Sequence, residues 1–70
     1  MKNPYGSMAN EELSTIYKDY VASKNEGKRC ESFVSYAKEI KENIGGDFSL
    51  AEGIRWAKMD FFEEVCDRFL

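Results

Sequence analysis

Histidine is absent from this 70-residue chain, proline occurs once and cysteine twice. Without an imidazole, no histidine base can activate a serine or thiol, and no histidine can ligate a metal. Two cysteines without a C-x-x-C pair fall short of the four ligands of a structural zinc site. No metal, cofactor or catalytic centre is therefore expected. Long apolar runs are missing too: nothing approaches the roughly 18 consecutive apolar residues of a membrane span. Met1–Gly6 lacks the apolar core of a secretory signal. These absences predict a cytoplasmic protein with reduced thiols and no membrane partner. No segment alternates with period two for long enough to suggest a strand, so no glycine-rich phosphate loop follows one. Nothing repeats at a fixed period.

Charge of either sign is modest. The net charge of −3 supplies neither a basic field for nucleic acid nor the dense acidic face of a nucleic-acid mimic. It is unevenly spread. Residues 1–27 carry −1, residues 28–46 carry +1 and residues 47–70 carry −3. Length allows one domain, and a chain this short buries only about 60% of its unfolded surface. Residues 1–8 are expected to be a disordered leader without a part in the fold, and residues 9–70 a single domain.

Three amphipathic segments dominate what is present. The first runs from about Asn10, read as its N-cap, to Lys24, with an apolar stripe of Leu13, Ile16, Tyr17, Tyr20 and Val21. Gly27 is placed to end it. The second runs from about Arg29 to Asn43. Its stripe is Cys30, Phe33, Val34, Ala37, Ile40 and Ile44, with Tyr36 on the flank. Gly45-Gly46 stops it. The third runs from about Leu50 to Phe69, and Ser49 with Glu52 forms a capping-box signature. Its stripe is Leu50, Ile54, Ala57, Phe61 and Val65. The expected fold is an all-α three-helix bundle, with helices two and three an antiparallel hairpin.

That hairpin would bring Cys30 and Cys66 to a similar level, as a disulfide or as two small buried apolar residues. The compartment argument favours the second. Gly53 and Ala57 form a small-x-x-x-small pair that would let another helix approach closely.

Helix three has more apolar surface than its stripe explains. At about 100° per residue, Phe62 and Cys66 lie to one side, Met59 further round and Trp56 nearly opposite. Large exposed apolar patches mark interaction sites, and Trp is enriched at binding hot spots. Trp56, Met59 and Phe62 are therefore the candidate interface, with acidic Asp60, Glu63 and Glu64 steering a basic partner. Two other readings assign this surface to self-association, or to Trp56 folding onto Pro4, Tyr5 or Met8. The leading functional reading is a small non-catalytic protein-binding module: a regulator, adaptor or inhibitor.

An alternative is a homo-oligomer that binds a small anionic ligand, such as a nucleotide, between protomers. Lys24, Lys28, Arg29 and Arg55 would supply charge, and Tyr17, Tyr20 or Tyr36 a stacking ring. A second alternative is a nucleic-acid-binding three-helix domain. Against it, the last helix sets Arg55, Lys58 and Arg68 against Glu52, Asp60, Glu63, Glu64 and Asp67, a balance that repels phosphate.

Overall fold

A computed structural model of the chain describes residues 3–45 and 47–70. It is all-α, with no strand among the described residues. A short 3-10 turn, Pro4–Ser7, precedes α1 (Asn10–Asn25), α2 (Glu31–Ile44) and α3 (Leu50–Phe69). As expected, α2 and α3 pack as a helical hairpin.

Local chemistry explains most element ends. Ser49 Oγ accepts from the Glu52 amide at 3.1 Å and starts α3. Gly27, at φ 71°, ends α1: its amide bonds the Lys24 carbonyl while the Lys28 amide reaches back to Ser23. Gly45 ends α2 at φ 73°, whereas Gly46 lies outside the described residues. Two starts differ from the sequence reading. Ala9, not Asn10, is the N-cap of α1. Asn10 is the first residue of the helix, and its side-chain oxygen accepts from Arg68 Nη1 at 3.0 Å. Helix α2 begins at Glu31, since Cys30 is its extended N-cap.

The tightest helix contact is between α2 and α3. Gly53 lies directly against Ala37, so close that a Cβ there would meet the Ala37 Cβ at 2.7 Å. The helix that the Gly53–Ala57 pair admits is thus α2 of the same chain. Around this crossing Phe33, Ile40, Ala57 and Phe61 are fully buried, joined by Leu13 and Ile16 of α1.

The largest departure concerns residues 3–8 of the expected leader, residues 1 and 2 lying outside the described residues. Far from being a leader without a part in the fold, the segment contributes Tyr5, only 2% exposed, to the core. Its ring packs edge-on against Tyr36 and Phe61, at 5.6 and 5.4 Å between centroids. Asn3 fastens the turn: its side-chain oxygen accepts from the Tyr5 amide, and its Nδ2 donates to the Asp60 carbonyl. Arg68 Nη2 donates to the carbonyls of Tyr5 and Gly6. The physical reason is volume, since three short helices leave a gap that an aromatic ring fills.

Some stripe residues stay outside. Ile44 is exposed beyond the hairpin, and Tyr17 and Val21 are exposed along α1.

Candidate functional site

Helix α1 does not close against α3 as α2 does. The start of α1 lies beside the end of α3, where Arg68 holds Asn10. Further along, the Tyr20 ring meets Phe62 edge-on at 5.8 Å and Phe33 at 5.6 Å. Concavities lie to either side of this aromatic bridge.

One is an apolar groove of about 340 Å³, lined by Asn10, Leu13, Ser14, Tyr17, Val65 and Phe69. Tyr17 and Phe69 form its lips, 51% and 57% exposed. The i, i+3, i+4 and i+7 spacing on α1 and the i, i+4 spacing on α3 place these residues on facing stripes. Asn10 and Ser14 are its polar side chains, and neither is charged.

The other is a cationic cleft of about 250 Å³ at the start of α2. Lys24 of α1, Lys28 and Arg29 of the connection and Lys58 of α3 surround a floor of Tyr20, Phe33 and Ile54. The ammonium groups of Lys24 and Lys58 lie over the Tyr20 ring, 5.9 and 5.3 Å from its centroid. Cys30 also lines the cleft, and its thiol donates to Asp19 Oδ2 at 3.3 Å. Burial, aided by Asp19, pushes this thiol up from its ordinary range, against the lowering pull of the Phe33 and Ser32 amides. A raised thiol is a poor nucleophile at neutral pH.

The six residues predicted as an α3 interface do not form one surface. Trp56 is half-buried, packed on the core cluster, and meets Phe48 edge-on at 5.7 Å. Phe62 is half-buried on the other flank, against Tyr20 and Phe61. Met59, 65% exposed, faces outward between them, and Glu63 is exposed. Asp60 turns inward, where its Oδ2 accepts from the Tyr36 hydroxyl at 3.0 Å. Burial and this bond push the Tyr36 phenol up to about 12. Glu64 is paired with Arg68 at 2.6 Å. Two of the three steering carboxylates thus serve internal bonds.

The predicted anion-binding set fares differently. Lys24, Lys28 and Arg29 do converge, while Arg55 is not part of their cleft and Lys58 is. Of the three tyrosines, Tyr20 lies there, Tyr17 lines the apolar groove and Tyr36 is in the core. Cys30 is buried and Cys66 exposed, and both are free thiols. Sequence reasoning missed the groove because Val65 reads as core and Phe69 as a helix end. The exposed Tyr17 on the α1 stripe was the available signal.

Among the described residues, no three potential metal ligands gather, and no helix is long and apolar enough to cross a membrane. No protein-family model, curated protein or solved structure matches the chain.

Proposed function

We propose that the chain is a small non-catalytic binding module whose working surface is the apolar groove between α1 and α3. The occupant is an amphipathic helix of a partner protein, laying an apolar stripe between Tyr17 and Phe69. One observation carries this reading. Two helices held apart by an aromatic bridge leave an uncharged apolar trough with two half-exposed aromatic lips. That is the shape a helix-in-groove complex uses, and aromatic edges supply its anchoring area. The interface shifts from the outer face of α3, where Trp56 and Phe62 are occupied internally, to the seam.

The test is site-specific photocrosslinking. A crosslinking side chain at Tyr17 is expected to capture a partner that the same side chain at Lys38, exposed on α2, does not. The captured protein is then purified and titrated. Phe69→Asp should weaken it at least about tenfold, a loss of about 1.4 kcal/mol, while Trp56→Ala leaves it unchanged. Equal binding by Phe69→Asp, or capture only of a second copy of this chain, would overturn the reading.

A further inference from the structure

The cationic cleft is separate from the apolar groove, divided from it by the Tyr20–Phe62 bridge. We infer that this cleft binds a small phosphate ester with a planar body, the chemical class of a nucleoside diphosphate.

Three independent features converge there. The first is charge. Lys24, Lys28, Arg29 and Lys58 reach the cleft from three parts of the chain, and no carboxylate lines it. Two acids, Glu26 and Asp19, stand beside the cleft without lining it. Glu26 meets Lys28 at 3.8 Å with both side chains mostly exposed, and Asp19 accepts the Cys30 thiol. Loosely held cations of this kind stay available to an incoming anion.

The second feature is the start of α2, a helix of 14 residues that opens into the cleft at Cys30 and Phe33. Its N-cap acceptor is only the weak Cys30 sulfur, which faces the Ser32 and Phe33 amides of the first turn. The positive end of the helix dipole therefore adds to the four side-chain charges.

The third is the floor. Tyr20 presents a ring over which Lys24 and Lys58 now lie, and Phe33 and Ile54 complete an apolar base. A planar group can replace the ammonium groups on that ring, leaving them to take the phosphoryl oxygens. A bare inorganic anion would not use the floor. A cleft of about 250 Å³ suits a small molecule more than a polymer.

The experiment uses the full chain at low salt, with amide chemical shifts as readout, titrated separately with adenosine diphosphate, orthophosphate and adenosine. The diphosphate should saturate and move the Tyr20, Lys28, Arg29 and Phe33 amides. It should bind more tightly than orthophosphate or adenosine. Lys24→Gln with Lys58→Gln removes two exposed charges and should weaken it by about tenfold or more. The same double change also removes two cation–π contacts on Tyr20, so circular dichroism must show the variant fully folded at the titration temperature. No saturation by about 10 mM, or equal affinity in the double variant, would overturn the site. Orthophosphate binding as tightly as the diphosphate would overturn the planar-body assignment. Since the groove residues Tyr17 and Phe69 take no part, Phe69→Asp should bind the diphosphate normally, which separates this result from the partner reading.

Discussion

Replacing Gly53 with alanine sets two opposing effects against each other. In an unconstrained helix interior the change stabilises by about 1 kcal/mol, through helix propensity and a less free unfolded chain. Here the new Cβ would meet the Ala37 Cβ at 2.7 Å, its Cα at 3.1 Å and its carbonyl oxygen at 3.2 Å. Carbon atoms rest about 3.5–4.0 Å apart, so α3 must retreat from α2 by roughly 1 Å. Two of the three obstructing atoms are backbone and cannot rotate aside. Overpacking costs about 1–3 kcal/mol, and a rigid obstacle belongs at the upper end. Setting about 3 kcal/mol against about 1 leaves a net loss of about 2 kcal/mol. A chain of this length has roughly 4–10 kcal/mol of stability in all. The loss should therefore lower Tm by about 8–16 °C. Urea unfolding followed by circular dichroism measures it. Ala37→Gly removes the closest obstacle, so the double variant should be more stable than additivity predicts, by about 1 kcal/mol. A Gly53→Ala protein more stable than the parent, or strictly additive losses, would refute the reasoning.

Three further outcomes follow from particular contacts. Burial holds the Tyr5 and Tyr36 phenols above their ordinary range, Tyr36 at about 12 with the Asp60 bond adding to the effect. The folded chain thus keeps protons that the unfolded chain releases from about pH 10 upward. Stability should hold below that pH and fall as pH rises towards 12, read from urea midpoints; a flat profile would contradict it. Arg68→Lys replaces a guanidinium that bonds Glu64, Asn10, Tyr5 and Gly6. A single ammonium cannot span those acceptors, so a loss of about 1–3 kcal/mol is expected. Faster amide exchange at Tyr5 and Met8 should accompany it, and unchanged exchange would dismiss the clamp. Finally, a thiol reagent should modify exposed Cys66 readily and buried Cys30 only on unfolding, so two fast thiols in the native protein would place Cys30 wrongly.

Features set by neighbours a few residues apart were legible in the sequence. The Ser49 cap, the Gly27 stop and the bounds of α3 depend on backbone groups within one turn. Gly53 announced itself through its small-x-x-x-small spacing with Ala57, and what it admits proved to be Ala37 of α2. What depended on distant partners was hidden. Tyr5 lies in a short stretch with Pro4 and Gly6 that shows no periodicity, and its burial needs Tyr36 and Phe61 already in place. Lys58 belongs with Lys24 and Lys28 only once α3 is laid against α1. Trp56, Met59 and Phe62 follow one another at three-residue steps, each turning about 60° round the helix. Such an arc looks continuous on an isolated helix. In the fold its ends meet different neighbours, Phe48 on one flank and Tyr20 on the other.

Side-chain size at the helix crossings accounts for both candidate sites. Where α3 meets α2, glycine faces alanine and the backbones approach closely. Where α3 meets α1, the bridge is a tyrosine edge-on to a phenylalanine. Two rings cannot interpenetrate as two small residues do, so α1 is held off, and the seam closes at the bridge while staying open on both sides of it. The character of each opening then follows from position along the chain. Towards the start of α1, the seam is lined by stripe residues that found no partner helix, Leu13 and Tyr17 facing Val65 and Phe69. Towards the end of α1, the stripe gives way to Lys24 and the basic connection, which meets Lys58 from α3. One aromatic spacer thus separates an apolar trough from a cationic cleft. A smaller residue at Tyr20 would let the helices close, drawing the walls of both together.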